Sequence, residues 1–418
     1  MKKMHEPLHK VQADARAAFF AILASLCIFS GCTNGILNPL SPADDAMDAN
    51  DAPLYSGETS KSLGVLPGAG SGLAGSGKKV LLIVESVLYS SIVNELDIYR
   101  GDLVADGWTV ETILTPKRNN RNKYMHVDLA TNIIWPRIVP GMHVFFVGSC
   151  PMPYIGFGIN PDGHQDTKGA YASTAYYGIP VTNYWTDTRD NSGFLSKSAQ
   201  RNIPGDGKFD QDILPSPPLV SIGFLDVSSL KIKGWGSLLD QNSFTIQKYR
   251  EYFANNHSYR MNGWRPRIVA AQGEWTASYS SAFSNWAISN GFSYLAFRYS
   301  YSNASQRFSP LNSIPFGVLY DTKVFSDKDS FWTNIHGQWA VLDLYYGSYQ
   351  IDFGSKRLMN PLGAGALATG SMGAINVWNI IGLEIGKTLG EIWKQSVSAD
   401  LKRPYVVLYG DPTLTLRR

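Results

Sequence analysis

The stretch KKVLLIVES, residues 78–86, decides the fold of this chain. Two lysines precede a continuous apolar run that ends in Glu85. An unbroken apolar run of this length is typical of a strand that is covered on both faces, because a strand with one exposed face alternates polar and apolar residues. We therefore expect a parallel sheet at the centre of the protein.

The segments that follow alternate between helix and strand. Apolar residues at helical spacing over 90–108 precede the strand TVETILTP, a helix that stops before Pro136, and the apolar strand MHVFFVGS. This alternation is the pattern of right-handed α/β units. We expect further strands in LVSIGFLDV, RPRIVAAQG, FSYLAFRYS, QWAVLDLYYGS and YVVLYG, and helices in SFTIQKYREYFANNH, SAFSNWAIS and IIGLEIGKTLGEIWKQS. The sequence thus predicts two α/β subdomains, over 79–225 and 226–418, and a long Asp-, Gly- and Tyr-rich loop after Pro151.

The N-terminus has the pattern of an export signal. A basic head precedes the apolar run AAFFAILASLCIFSG over 17–31, which ends at Cys32. This run is shorter than the roughly 20 residues that cross a bilayer. With Ser30 and Gly31 before the cysteine, and Phe29 in place of the usual Leu or Val, the segment resembles the lipobox of bacterial lipoproteins. The resemblance implies a signal peptide over 1–31 and a lipid on Cys32; an ordinary signal peptide or a short buried helix is the alternative.

The next segment, over 32–78, predicts a flexible tether. It is rich in Asn, Asp, Ser, Pro and Gly and has few large apolar residues. Such a segment buries too little apolar surface to offset its chain entropy. We expect a protein of the cell envelope that is lipid-anchored at the outer membrane or cell surface, with the periplasmic face as the alternative.

Composition narrows the function classes. The 418 residues carry a net charge of only +3 and no dense basic run, which argues against a nucleic-acid partner. Of the three cysteines, Cys27 lies in the signal and Cys32 at the lipidation site, so Cys150 is alone in the mature body. We therefore expect neither an intramolecular disulfide nor a cysteine-based zinc site.

Several motifs together resemble the gingipain-type cysteine peptidases. The segments are VFFVGSCPMPY, YYGIPVTNYWTDT, NIPGDGKFDQD, VSIGFLDV and VVLYGDPTLTL. They occur in the order of that family's motifs and span roughly residues 79–416. The resemblance implies a caspase-like α/β fold, a parallel-sheet sandwich of two adjacent subdomains.

The catalytic pair of that family is missing from the matching positions. The family places a His at one strand end and a Cys at the next, because an imidazole beside a thiol yields a nucleophilic thiolate. The two strands FSYLAFRYS and QWAVLDLYYGS end instead in Tyr299, Ser300 and Tyr301, and in Tyr346, Gly347 and Ser348.

Three other residues are candidates for a catalytic role in place of the missing His and Cys. Cys150 follows a strand near the expected active edge, Ser348 ends the strand that should carry the nucleophile, and His336 precedes that strand. A free cysteine is more often a packed apolar residue, and a serine nucleophile needs a base nearby. Cys150 and Ser348 are therefore the candidate nucleophiles, with a structural role as the alternative for all three.

Clustered carboxylates in the middle of the chain suggest a calcium site. Carboxylates on glycine-containing loops supply the several oxygen ligands that Ca²⁺ takes, and gingipain-type domains carry calcium. Simple Asp-Gly turns are the alternative, because the spacing matches no EF-hand. The candidate ligands are Asp162, His164, Asp166, Asp206, Asp210 and Asp212.

Three functions remain open at this stage. The first is a lipid-anchored, non-catalytic protein of gingipain-like fold that binds a protein or glycan ligand, with aromatic contacts at Tyr176, Tyr177, Tyr184 and Trp185. The second is an active hydrolase that uses Ser348 or Cys150. The third is a carbohydrate-binding envelope protein. The missing His and Cys favour the first.

Overall fold

In a computed structural model, the apolar run that follows Lys78 forms an interior strand of the main sheet. The residues described are 65–66, 78–119, 122–161, 168–194, 198–232, 237–261, 316–322, 340–346, 356–372, 378 and 380–416. They all lie within one compact unit, Ser60–Arg418. The expected signal peptide, the lipidation site and most of the tether lie outside the described residues.

Twelve strands are present in the described residues, and they form two sheets. Numbered along the chain, they are β1 (Val65–Leu66), β2 (Lys79–Glu85), β3 (Thr109–Thr115), β4 (His143–Val147), β5 (Tyr154–Ile159), β6 (Gly169–Ala172), β7 (Lys208–Phe209), β8 (Ser221–Leu225), β9 (Phe316–Thr322), β10 (Ala340–Tyr346), β11 (Ala368–Met372) and β12 (Leu408–Gly410). The large sheet has the order β1-β3-β2-β4-β8-β12-β11-β10-β9, and the small sheet has the order β6-β5-β7.

Apart from β1, which pairs antiparallel with β3, the large sheet consists of two parallel blocks that run in opposite directions. Strands β3, β2, β4, β8 and β12 are parallel to one another, and β11 pairs antiparallel with β12 but parallel with β10, which is parallel with β9. One edge of the sheet therefore carries the carboxyl ends of β2, β4 and β8 together with the amino ends of β10 and β11. We call it the Glu85 edge. This mainly parallel α/β architecture confirms the predicted fold class and is consistent with a caspase-like arrangement.

Burial explains why the run KVLLIVE is apolar throughout. Leu81 and Ile83 point into one core cluster, whereas Val80, Leu82 and Val84 point into a second. Successive side chains of a strand point to opposite faces, so this alternation means that both faces of β2 are covered. The sequence-based inference from the uninterrupted run is thus confirmed by its packing.

Six α-helices are described. They are α1 (Ser86–Tyr89), α2 (Val93–Ala105), α3 (Met125–Leu129), α4 (Gln241–Met261), α5 (Lys356–Ala364) and α6 (Leu389–Ala399). The buried apolar residues of α2 and α5 in the core clusters, and those of α4 up to Phe253, belong to the core on one face of the sheet. Those of α3 and α6 belong to the core on the other face, together with Tyr259 near the end of α4. None of the described helices has the length and apolar content needed to cross a membrane.

Helix α6 starts later than its apolar pattern predicts. Residues Ile380–Ile385 form a 3₁₀ helix, and α6 itself begins at Leu389. The Thr388 hydroxyl accepts a hydrogen bond from the Glu391 amide (3.1 Å), and the Glu391 carboxylate accepts one from the Thr388 amide (2.7 Å). This capping box fixes the start of the helix, because it satisfies amide groups that have no partner inside the helix.

The small sheet lies in the segment after Pro151, for which the sequence predicts a long loop. Its strands are short, and β5 contains an irregularity between Ile155 and Ile159. Gly156 and Gly169 adopt φ angles of +121° and +149°, which only glycine tolerates well. Short strands interrupted by glycines show no sustained alternation, so the expectation of an unstructured loop is wrong here.

A buried ion pair fastens the C-terminal turn to helix α4. The Arg260 guanidinium lies 2.7 Å from the Asp411 carboxylate, and their side chains are 3% and 0% exposed. Asn256 donates to the same carboxylate (2.9 Å), and Thr413 donates its amide (2.8 Å). Arg260 also pairs with Asp106, just beyond α2. Burial raises the pKa of Asp411, but Arg260 and these hydrogen bonds outweigh it and hold the pKa below its ordinary value.

Close packing of the turn requires glycine before Asp411. Gly410 has a φ of +115°, and a Cβ on it would lie 2.4 Å from the Leu367 carbonyl oxygen. A Cβ on Gly223 of β8 would lie 2.3 Å from the Gly410 carbonyl oxygen. The Gly-Asp-Pro motif therefore brings β8, β11 and β12 together at backbone contact distance.

Replacing Asp411 with asparagine tests the ion pair. We expect Asp411→Asn to lower the free energy of unfolding by about 3–5 kcal/mol, because the isosteric amide leaves the Arg260 charge buried without its anion. Urea unfolding at neutral pH measures the loss. Since the pKa of Asp411 is lowered by folding, its contribution is present above about pH 4 and is lost as the pH falls through the folded pKa. The difference between wild type and variant should therefore shrink in acid.

Asp106→Asn is the matched control for this change. Its side chain is 30% exposed, so water compensates part of the lost interaction with Arg260. Equal losses for the two variants would show that the buried pair does not fasten the turn.

Candidate functional site

The carboxyl ends of β2 and β4 lie at a switch point of the sheet. The chain passes from β2 to β3 on one side and from β4 to β8 on the other side, and β2 and β4 are neighbours. Ligands of open α/β sheets bind outside the carboxyl ends of strands at such a point. The polar residues that follow β2, β4 and β8 therefore form the candidate site.

Ser149 links the two acidic residues of this site. Its amide donates to the Glu85 carboxylate (2.8 Å), and its hydroxyl donates to the Asp226 carboxylate (3.1 Å). The hydroxyl also lies 3.1 Å from that of Ser228. Glu85 ends β2, Ser149 is the second residue after β4, and Asp226 directly follows β8, so the pairing of these strands brings the three residues to one edge. We call this group the Ser149 cluster.

Asp226 is held by several donors. Its carboxylate accepts hydrogen bonds from the Ser228 amide (3.0 Å) and from the Tyr249 hydroxyl (3.3 Å), besides the bond from Ser149. Tyr249 belongs to α4 and is buried. Helix α4 thus carries both the arginine that fastens the C-terminal turn and a tyrosine that orients the site.

Glu85 has a perturbed acidity. Burial raises the pKa of its carboxyl group, and the nearby Asp226 raises it further, whereas the hydrogen bond from Ser149 and the charges of Lys117 and Arg118 oppose the rise. Carboxyl groups with perturbed pKa values are found more often in functional sites than elsewhere.

Glycine is required at position 148 to form the site. Gly148 has a φ of +99°, and a Cβ there would lie 2.5 Å from Cβ of Glu85. Its amide donates to the Leu225 carbonyl (2.9 Å), which joins the ends of β4 and β8. The Gly-Ser pair after β4 therefore lets Ser149 approach Glu85 closely.

The Ser149 cluster has the chemistry of a binding site for polar groups. The hydrogen-bond partners described for the Ser149 hydroxyl are a carboxylate and a second hydroxyl, not the histidine base of a serine hydrolase. Lys117 is exposed nearby and Arg118 is half-buried. Glu85, Ser149 and Asp226 are 8%, 5% and 4% exposed, so a polar ligand at this edge would first contact Lys117 and Arg118.

Cys150 follows the cluster but has no access to solvent. Its side chain is 0% exposed, and its sulfur lies 3.4 Å from the Val147 carbonyl oxygen. Burial raises the pKa of the thiol well above its ordinary value, and the charges of Glu85 and Asp226 add to the rise. The candidate role of Cys150 as a nucleophile is therefore wrong for this structure, because catalysis needs an accessible thiolate.

The other candidates for catalysis lie outside the described residues. These are Ser348, His336 and the strand end Tyr299, Ser300 and Tyr301. Strand β10, which precedes Ser348, ends at Tyr346 opposite Met372 of β11. Its carboxyl end is thus at the sheet edge opposite to the Glu85 edge.

The described carboxylates of the calcium candidate bind backbone amides of the protein. Asp210 accepts from the Thr188 amide (2.8 Å), Asp212 from the Phe157 amide (2.7 Å), and Asp206 from the Lys208 amide (2.9 Å). Within the described residues, no group of three or more His, Cys, Asp or Glu could hold a metal ion. Calcium stays a prediction, because Asp162, His164 and Asp166 lie outside those residues.

Two of the four predicted contact aromatics are core residues. Tyr176 and Tyr177 are 1% and 0% exposed, and the Tyr177 hydroxyl donates to the Pro151 carbonyl (2.7 Å). Their expected role in surface contacts is therefore wrong. Tyr184 and Trp185 are half-buried, and the Tyr184 hydroxyl donates to the Ile213 carbonyl (2.7 Å). Their role in ligand contacts stays a prediction.

Comparisons with known proteins give only distant likenesses. No family model and no curated protein matches the chain. A solved structure described as a protease has a TM-score of 0.47 and 8% identity, with 82% of this chain and 79% of that chain covered. A candidate LacI transcriptional regulator from Bacteroides fragilis has a TM-score of 0.19 and 11% identity, with coverages of 71% and 85%. These scores are low, so no activity is transferred from those proteins.

Sequence reasoning did not single out the residues of the Ser149 cluster. A usable signal was present, since Glu85, Ser149 and Asp226 are polar residues at or just after the ends of buried apolar strands. Parallel neighbouring strands place such residues at one edge of a sheet. The strands that carry the catalytic pair in the gingipain-type family are not the strands that carry these three residues.

Two glycine-to-alanine substitutions test whether Gly148 lies as close to Glu85 as the structure shows. We expect Gly148→Ala to destabilise the protein by about 1–3 kcal/mol more than Gly107→Ala, because only the first change forces a new methyl group against Glu85. Gly107 is the matched control, since it has a similar φ of +86° but no atom within 4 Å of an added Cβ. Urea unfolding of both variants measures the difference, and equal losses would contradict the close approach of Gly148 to Glu85.

Proposed function

We propose that this chain is a lipid-anchored protein of the cell envelope whose gingipain-like body acts by binding and not as a cysteine peptidase. The complete burial of Cys150 carries the proposal. Cys150 is the only cysteine after Cys32, and its thiol is inaccessible and disfavoured as a thiolate. A cysteine peptidase needs a thiolate that reaches its substrate.

The Ser149 cluster supports binding as the mode of action. Its members are held by hydrogen bonds from three strands and from α4, so the polar groups are oriented before a ligand arrives. Such preorganisation reduces the cost of ordering side chains on binding. The resemblance to gingipain-type peptidases rests on the motifs in the sequence, and the absence of the His and Cys pair from the matching positions supports the non-catalytic role.

A peptidase assay tests the catalytic half of the proposal. The full-length protein in detergent should neither cleave a fluorogenic peptide library nor become labelled by an epoxide probe for cysteine peptidases. Cys150→Ala and Ser348→Ala should behave like the wild type. Labelling that disappears in Cys150→Ala, or cleavage that disappears in either variant, would overturn the proposal.

Membrane fractionation tests the anchor. We expect Cys32→Ser to move the protein from the membrane fraction to the soluble fraction, because the acyl chains would have no attachment site. Cys27→Ser is the matched control, since it changes the other cysteine of the N-terminal segment and should leave the protein in the membrane. Labelled palmitate should enter the wild type and Cys27→Ser but not Cys32→Ser, and incorporation into Cys32→Ser at the wild-type level would exclude Cys32 as the lipidation site.

A further inference from the structure

Two cations and two phenylalanine rings form a continuous array on the small sheet and the loop over 186–194. The Arg189 guanidinium lies 3.6 Å from the centre of the Phe157 ring, and the Lys168 ammonium lies 5.5 Å from the centre of the Phe194 ring. The two rings contact each other edge to face, with centroids 5.3 Å apart. Cations within about 6 Å of a ring centre are attracted by the ring, so each ring positions a charge. We call these four residues the Phe194 surface.

The Phe194 surface is accessible to solvent. Phe194 is 37% exposed, Arg189 is exposed, and Lys168 and Phe157 are half-buried. One exposed apolar residue needs no explanation, but aromatic residues and arginine together are enriched at protein interfaces. The informative feature is therefore the combination of rings and cations.

Buried polar residues hold the backbone of this surface. Asp210, which is 3% exposed, accepts a hydrogen bond from the Arg189 amide (3.3 Å). Asn191, which is 0% exposed, donates its side-chain amide to the Phe157 carbonyl (2.9 Å), and its own carbonyl accepts from the Phe194 amide (2.8 Å). Binding loops are commonly built in this way, with exposed side chains on a firmly held backbone. Such preorganisation lowers the cost of ordering a surface on binding.

The positive charge of this surface is not neutralised within the described residues. No carboxylate among them forms an ion pair with Arg189 or Lys168. Asp190, the acidic neighbour of Arg189 in the sequence, accepts a hydrogen bond from the Ser192 amide (2.7 Å) instead. A partner that carries negative groups would therefore complement the surface electrostatically.

The chemistry of the surface favours a peptide over a sugar polymer. A guanidinium stacked on a ring presents its N–H groups as a planar fork that matches a carboxylate. Phenylalanine rings offer apolar area but no hydrogen-bonding group for the many hydroxyls of a sugar. The neighbouring Thr188 hydroxyl already bonds to Asp210 (3.2 Å).

We propose that the Phe194 surface binds an acidic segment of a partner protein. Carboxylates of the segment pair with Arg189 and Lys168, and one of its apolar side chains packs against Phe194. The inference rests on the proposed function, because it names the class of partner for a protein that acts by binding.

Fluorescence anisotropy of a labelled peptide of alternating Glu and Tyr, titrated with the full-length protein in detergent, tests the surface. We expect saturable binding that weakens as sodium chloride is added, because salt screens exposed charges. Arg189→Gln and Lys168→Gln should each weaken binding about fivefold, as expected for the loss of one exposed ion pair. Phe194→Ala should act in the same direction, and a peptide of alternating Lys and Tyr should not bind.

Lys231→Gln is the matched control. It removes one exposed positive charge, but the neighbouring Leu230 belongs to the core on the face of the large sheet opposite to the small sheet. Its affinity for the peptide should equal that of the wild type. Arg189→Lys keeps the charge but removes the planar fork, so it should still weaken binding. Circular dichroism shows whether each variant is folded.

Absence of saturable binding to the Glu-Tyr peptide, or losses in Arg189→Gln and Lys168→Gln no larger than in Lys231→Gln, would overturn the surface. Polygalacturonate, a carboxylated sugar polymer, should bind more weakly than the peptide, and equal affinity would overturn the assignment to a protein partner. Either failure would leave the peptidase assay and the palmitate labelling unchanged, so it is distinguishable from failure of the proposed function.

Discussion

The buried pair of Arg260 and Asp411 is the interaction on which the arrangement of this protein depends. It joins Asp411, the first residue after β12, to the end of α4, and Arg260 also pairs with Asp106 after α2. Desolvating two charges is costly, and the cost is offset only when the geometry is good and the remaining hydrogen bonds are made. Asn256 and Thr413 make those bonds.

The ion pair also affects the position of the candidate site, because α4 and β8 contact both. The Tyr249 hydroxyl, more than two helical turns before Arg260 on α4, contacts Asp226 directly after β8. Gly223 of β8 packs against the Gly410 backbone. The position of the terminal turn is therefore coupled to the position of Asp226, and with it to Ser149 and Glu85. The motif that first indicated a family resemblance thus has a structural role that requires no catalysis.

Buried strands were predictable from the sequence, and the small sheet was not. The apolar runs of β2, β4 and β8 predict covered strands because both faces of a covered strand are apolar. Strands β5, β6 and β7 are short, and glycines interrupt them, so they show no period. The start of α6 was missed because the Thr388 capping box overrides an apolar pattern that continues further toward the N-terminus.

The candidate site was less predictable than the fold. The thiol of Cys150 is inaccessible because the residue is buried. Its burial depends on how β4 packs against neighbouring segments. The presence of one cysteine in a sequence does not reveal that packing. Tyr176 and Tyr177 looked like surface residues because they lie in a polar segment, yet their rings complete the core. Glu85, Ser149 and Asp226 come together only through the pairing of three separate strands.

The reactivity of Cys150 in the native protein tests the central claim most directly. Titration of the mature protein with Ellman's reagent should show no reacting thiol in native buffer and one thiol per chain in denaturant, and that thiol should be absent from Cys150→Ala. Stoichiometric reaction of Cys150 in native buffer, at a rate close to that of a free thiol, would contradict the account.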